Sequence, residues 1–125
     1  MTAPLAGLRV LDLTRLLPGP AATMHLADFG ADVIKIEDTA AGDYMRDFDP
    51  QVANAQGVHV NPAFEATNRG KRSLAIDLKH ARGRELLLQL AGRADALIES
   101  FRPGVLARLG LGWDVLHARK PRLVM

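Results

Sequence analysis

The 125-residue chain predicts an α/β fold: a parallel sheet with flanking helices. Two observations carry this. Short apolar segments of strand character recur at residues 8–13, 33–37, 74–78 and 96–99. Stretches of helical character lie between the first pair and between the last pair. Strands separated by helices pair in parallel, because a crossover returns the chain to the edge it left.

The elements run in order along the chain. Residues 8–13, Leu-Arg-Val-Leu-Asp-Leu, form the first strand, and Pro18-Gly19-Pro20 punctuates its end. Pro20 suits a first helical turn, where a missing N–H costs nothing, and that helix runs to about Phe29 with Gly30 as its stop. The second strand, residues 33–37, completes a βαβ unit. Residues 38–67 lack sustained periodicity and are rich in Asp, Ala, Gly and Asn. A connection of this length is unusual in a compact domain and points to function or mobility; a short helix at 62–66 interrupts it. The third strand is expected at 74–78. A helix at 82–93 carries Leu86, Leu87, Leu90 and Ala91 on one face. The fourth strand is 96–99, a short helix at 103–109 is opened by Pro103 and closed by Gly110, and another spans 113–119. Leu123-Val124-Met125 starts a fifth strand. A parallel edge strand with no covering helix implies an incomplete domain, truncated within one unit spanning 1–125; the other reading is a small complete domain closed by that strand.

Bulk composition narrows the function classes. Apolar residues make up 48% and charged residues 24%, values of an ordinary globular protein rather than a disordered one. Net charge is only +2, yet it is segregated: residues 79–93 hold four cations and one acid, residues 28–49 seven acids and two cations. Such segregation favours a small anionic ligand over a nucleic-acid track, and an aromatic content of 5% offers few stacking platforms for bases. Without cysteine there is no disulfide, thiol nucleophile or thiolate metal site. There is no signal-peptide pattern and no apolar run near the ~20 residues that span a bilayer. The expectation is a cytoplasmic protein with no membrane partner.

Two basic segments stand at predicted strand boundaries. In Asn68-Arg69-Gly70-Lys71-Arg72-Ser73, three cations surround a glycine that permits close backbone approach. This is either a solvated loop leading into a strand or a phosphate site. Lys79 comes directly after the third strand, and Arg108 lies on the helix after the fourth. The carboxyl ends of parallel strands share one edge, where ligands bind, so these two cations are expected on a common rim; each is alternatively a surface cation. The Leu16–Pro20 turn lacks G-x-G-x-x-G, which argues against a dinucleotide oxidoreductase. His25, His59, His80 and His117 fall on separate elements, and Asp43, Asp47 and Asp49 lack the pattern of a calcium loop, so no metal is expected. The three aspartates read as a solvated acidic loop, and Thr14 as a turn-side hydroxyl. There is no G-x-S-x-G elbow.

Taken in order, these pieces resemble the opening segment of the family III CoA-transferases, which include formyl-CoA transferase, carnitine CoA-transferase and α-methylacyl-CoA racemase. The matching features are Pro4-Leu5 and Gly7, Val10-Leu11-Asp12, Gly19-Pro20, and Leu26 to Gly30 with Ala31-Asp32-Val33-Ile34-Lys35-Ile36-Glu37 directly after. Further along come Gly42-Asp43, Arg46, Asn68, Lys71-Arg72-Ser73, Asp77-Leu78-Lys79, Gly83, Ala94-Asp95, Pro103-Gly104, Leu109-Gly110 and Pro121-Arg122-Leu123-Val124. Singly they are weak; their order is specific, and it covers essentially the whole chain.

The resemblance implies a Rossmann-like domain holding coenzyme A as carrier, with no metal, in an enzyme whose two identical subunits interlock like ring links. It places the cofactor contacts at Leu17, Pro18, Ile76, Lys79, Ser100, Phe101 and Arg108, to which the charge pattern adds Lys71 and Arg72. Lys79 and Arg108 suit the phosphates; Ile76 and Phe101 offer apolar surface for adenine. The implied partners are an acyl-CoA and a carboxylic acid. The implied transferase chemistry uses an aspartate nucleophile and the racemase chemistry a histidine–aspartate pair; neither maps onto these residues, so no catalytic residue is assigned. The family often has an arginine directly after the second strand's glutamate, where this chain has Asp38. That anion would repel a phosphate, so Arg46 or Arg72 substitutes or the contact is absent. The alternatives to the CoA-holding part of a transferase are a racemase fragment, a catalytically silent truncated product and a small basic nucleic-acid-binding module.

Overall fold

Four strands form one wholly parallel sheet in the order β5-β2-β1-β6 in a computed structural model, which describes all of residues 1–125. They are β1 (Arg9–Leu13), β2 (Asp32–Glu37), β5 (Arg72–Ala75) and β6 (Ala96–Glu99). Val124 adds a parallel bridge to Ala96 outside β6, with Leu97 N–H donating to Val124 O at 2.8 Å and Val124 N–H to Asp95 O at 3.0 Å. The chain runs outward from β1 to β2 and β5, then returns to the other side of β1. The order therefore reverses between β1 and β6, the kind of position where open α/β sheets bind ligands.

Period-two alternation sends each strand's residues to two different cores. Leu11, Leu13, Ile34, Ile36 and Leu97 pack with Leu87 and Ala91 of α3 (Ala81–Ala91), with Leu106 of α4 (Val105–Arg108) and with Leu116 of α5 (Trp113–Arg119). Val10 and Val33 form a smaller cluster on the opposite face with Leu26 and Ala27 of α1 (Pro18–Asp28). Further along that second face the same alternation buries three charges, Asp12, Lys35 and Glu37. Asp12 meets Thr23 of α1 and Lys71, while Lys35 and Glu37 meet Asp43 and Arg46 from the segment before α2 (Pro62–Asn68).

Several boundaries differ from the sequence expectation. Helix α1 begins at Pro18, two residues before Pro20, because both prolines fit its first turn. Strand β5 runs from Arg72 to Ala75 rather than 74–78. It is an edge strand, and its extent is set by its one neighbour: Arg72 pairs with Ile34 and Ala75 with Glu37, where β2 ends. Leu78 and Lys79 therefore lie in a turn, with Lys79 N–H donating to Asp77 Oδ1 at 2.9 Å. In α3 the buried stripe is Gly83, Leu87 and Ala91, with Leu86 exposed at its margin. Helix α4 is trimmed to Val105–Arg108, since Gly104 takes the left-handed conformation at its start (φ 82°).

The segment from 38 to 61 is not a bare loop. It holds a 3₁₀ turn, Tyr44–Asp47, and a two-stranded antiparallel hairpin of β3 (Val52–Ala53) and β4 (His59–Val60). Asn61 then caps α2, accepting from Phe64 N–H at 2.9 Å. Elements of two to four residues carry no periodicity to read. No helix is long and apolar enough to cross a membrane.

Candidate functional site

A cavity of about 570 Å³ opens at the carboxyl ends of the parallel strands, within the roughly 300–1,000 Å³ of small-ligand sites. The residues at and just past each strand end line it: Leu13 and Arg15 from β1, Asp38 and Ala40 from β2, Ile76 and Lys79 from β5, and Phe101 from β6. Val105 of α4 and Leu109 close one wall. Most of the lining is apolar; its only cations are Arg15 and Lys79.

The β1–α1 turn that frames the cavity is held from beneath by buried charge. Asp12 accepts from Thr14 Oγ1 at 2.5 Å, from Thr23 Oγ1 at 2.6 Å and from Lys71 Nζ at 3.0 Å. Burial alone would raise the Asp12 pKa; the two threonine hydroxyls and Lys71 outweigh it and hold the carboxyl below its usual range. Lys35 Nζ donates to Thr14 O at 3.0 Å and pairs with Asp43 Oδ2 at 2.9 Å. Asp43 in turn accepts the Leu16 N–H at 3.0 Å. Leu16 is the one non-glycine residue with positive φ, at 65°, a conformation that costs free energy and persists only where its surroundings enforce it. Asp43 is thus a buried structural anion at 1% exposure, which corrects the solvated reading for that residue, while Asp47 and Asp49 are exposed. Thr14 is a buried link in the network.

Glu37 is held in the same way. Arg46 grips both its oxygens at 2.8 and 2.7 Å, and Ser73 Oγ donates at 2.6 Å. Burial pushes Glu37 up, but Arg46, Ser73 and the Asp43 N–H bring it down to about 2. The Arg46 guanidinium also stacks over Phe64 at 3.9 Å.

The nine sequence-assigned residues separate. Ile76, Lys79 and Phe101 line the cavity together. Arg108 does not line it, but its neighbour Leu109 and Val105, three residues before it, do; like Lys79, its side chain makes no hydrogen bond or ion pair within the chain. Leu17, Pro18 and Ser100 come after β1 and β6 on the same edge, exposed and outside the lining.

Lys71 and Arg72 do not join this edge. Arg72 starts β5 at the amino ends of the strands, whereas Lys71 comes just before it and sends its ammonium under the β1–α1 turn; neither lines the cavity. Lys71 Nζ is saturated by Asp12, Pro20 O at 2.9 Å and Asn68 Oδ1 at 2.9 Å, so its three N–H donors are spent. Its side chain is 2% exposed, and burial lowers its pKa despite the pull of Asp12. Arg72 forms a two-pronged pair with Asp32, its Nη2 lying 2.7 Å from each carboxylate oxygen, and Arg9 shares that carboxylate at 2.9 Å. The basic block at 69–72 therefore ties the chain to its own carboxylates; Arg69 likewise pairs with Asp28 at 2.6 Å.

Arg15 is a lining cation that the sequence pattern did not single out. Its Nη2 lies 3.0 Å from Asp38 Oδ2, and Nη1 donates to the Tyr44 hydroxyl at 2.9 Å. The guanidinium carbon sits 5.1 Å from the Tyr44 ring centre and 5.9 Å from that of Phe101. Asp38 is not a bare anion. Its Oδ1 accepts the Ala41, Gly42 and Ala40 N–H groups, which with Arg15 hold its carboxyl below the usual range. Arg46 and Arg72, the expected substitutes at this position, are both committed to other carboxylates. A signal for Arg15 does exist in the chain: it stands just after β1 as Lys79 stands after β5.

Fold and cavity define an α/β unit of Rossmann-like strand order with a cavity at its switch point. The chain belongs to CoA-transferase family III, whose model matches residues 5–125. It is 45% identical over 123 residues to a succinate–glutarate CoA-transferase of Agrobacterium fabrum, covering 97% of this chain and 31% of that protein. To the mouse succinyl-CoA:glutarate CoA-transferase it is 40% identical over 121 residues, covering 97% and 27%. Among solved structures, a CAIB/BAIF family protein from Brucella suis superposes with a TM-score of 0.91 at 41% identity, over 98% of this chain and 32% of that one. Rv3272 of Mycobacterium tuberculosis superposes at 0.86 with 40% identity, over 97% and 33%. The chain thus spans about a third or less of the length of these relatives.

Proposed function

We propose that these residues form the N-terminal, coenzyme A-holding part of a CoA-transferase, an enzyme that moves coenzyme A from an acyl-CoA to a carboxylic acid. The observation that carries this is the cavity itself. Ile76 and Phe101 give apolar walls suited to adenine, while Lys79, free of any protein acceptor, suits phosphate. Arg108, next to Leu109 on the same wall, supplies a second free cation. Family membership and the relatives' names support the reaction class.

The division of labour comes from the residues present. The chain holds and orients the carrier; the carboxylate that attacks the thioester is assigned to the part of such an enzyme outside these residues. The interlocked homodimer and the cytoplasmic compartment belong to the same reading. An exposed β5 edge with Leu74 and Leu86 beside it offers surface for further protein to cover.

Calorimetric titration of the chain with coenzyme A tests the proposal. Saturable heat is expected, reduced about ten- to hundredfold in affinity by Lys79→Ala and less by Arg108→Ala, the scale of a lost charged hydrogen bond. No heat, or unchanged affinity in both variants, refutes the assignment of this cavity.

A further inference from the structure

We propose that Arg15, positioned by Asp38, is the cation that takes the pyrophosphate of the bound nucleotide. The inference rests on the coenzyme A reading above.

In dinucleotide-binding sheets of this order the pyrophosphate lies at the first strand-to-helix turn, where helix N–H groups and the helix dipole receive it. Here that turn is poorly equipped. Helix α1 opens with Pro18 and Pro20, neither of which has an N–H, and Ala21 N–H is already donated to Leu17 O at 2.9 Å. Only Gly19 remains as a backbone donor in the first three helical positions. The nearby ammonium of Lys71 is spent beneath the turn. A charged donor at this turn must come from a side chain, and Arg15 is the one lining cation that comes after β1.

Its surroundings suit the role. Asp38 Oδ2 and the Tyr44 hydroxyl occupy one N–H on each terminal nitrogen, leaving most of its five donors free. The Tyr44 and Phe101 rings lie near the guanidinium, their centres 5.1 and 5.9 Å from its carbon, within reach of cation–π attraction. Asp38 cannot swing freely, because three backbone N–H groups hold its other oxygen. The side chain of Arg15 is 28% exposed, so it is reachable from the cavity and partly desolvated. Asp38 is accordingly a positioning residue: it aims the guanidinium instead of meeting the ligand.

The experiment is calorimetric titration of the 125-residue chain and its variants with coenzyme A and with dephospho-coenzyme A, which keeps the pyrophosphate and lacks the ribose phosphate. Thermal melts confirm that each variant is folded. Arg15→Ala is expected to weaken both ligands by the same factor, about ten- to hundredfold, and Arg15→Lys to recover only part of the loss, since an ammonium cannot reproduce the fork. Asp38→Asn keeps the turn and removes the charge. It is expected to weaken both ligands by a smaller factor, and in combination with Arg15→Ala to add nothing, which a merely structural residue would not do. Loss confined to coenzyme A moves Arg15 to the ribose phosphate and overturns the proposal. So does unchanged or tighter binding in Arg15→Ala while the parent chain binds normally, which leaves the coenzyme A reading intact. Tighter binding in Asp38→Asn overturns its positioning role. No binding of either ligand by the parent chain removes both readings together.

Discussion

Replacing Lys71 by methionine separates a structural from a ligand-binding cation. The Lys71 side chain is 2% exposed and its partner Asp12 0%, at 3.0 Å. Methionine fills similar volume but leaves the Asp12 carboxylate buried with only the two threonine hydroxyls and the Thr14 N–H as donors. It also strips an N–H partner from Pro20 O and Asn68 Oδ1. Breaking one side of a buried pair costs about 3–5 kcal/mol, a large share of the ~5–15 kcal/mol that holds a domain folded. For a chain of this size the melting midpoint should fall by roughly 10–20 °C. Circular dichroism melts and urea titration measure this directly. The double variant Asp12→Asn/Lys71→Met, which removes both charges, should recover part of the loss. Coenzyme A affinity, measured well below the lowered midpoint, should stay within about twofold of the parent, because Lys71 does not line the cavity and its donors are spent on the protein. A stability loss under about 1 kcal/mol, or a selective tenfold loss of affinity in folded protein, would refute this account and return Lys71 to the ligand.

Two further predictions concern the frame of the site. A Cβ at Gly83 would overlap the carbonyl of Asp77, so Gly83→Ala should push the turn carrying Lys79 off α3. It should cost about 1–3 kcal/mol and weaken coenzyme A binding through displacement of Lys79, read by melts and calorimetry; an unchanged midpoint would show that the turn yields freely. Glu37 has a folded pKa of about 2 against an ordinary 4.5, so its contribution is fully present above the ordinary value. It is lost as pH falls from about 4.5 towards 2. Partial exposure of Arg46 limits the effect to roughly 2–3 kcal/mol. Stability profiles of the parent and Glu37→Gln should diverge above that window and converge at its acid end, and parallel profiles would remove the role assigned to Arg46.

Much of the architecture was legible because it rests on local periodicity. The alternation of Val10, Leu11 and Leu13 in β1, and of Val33, Ile34 and Ile36 in β2, marks strands buried on both faces. The limits of α5 and β6 match the expected residues, since each is bounded by a turn residue or a change of pattern. What could not be read was the extent of β5, set by its pairing with β2, and the small elements within 38–61, too short to repeat.

The residues themselves determined a parallel α/β chain of this family, with Ile76, Lys79 and Phe101 among the residues that line its cavity. Only the tertiary structure decided which cations remain available. Lys71 finds Asp12 across 59 residues and Arg72 finds Asp32 across 40, whereas Arg15 meets Asp38 and Tyr44 at the open end of the sheet. A charge's neighbours depend on strand order and on the edge it occupies, and burial sets the strength of each pairing. Neither quantity is carried by spacing along the chain.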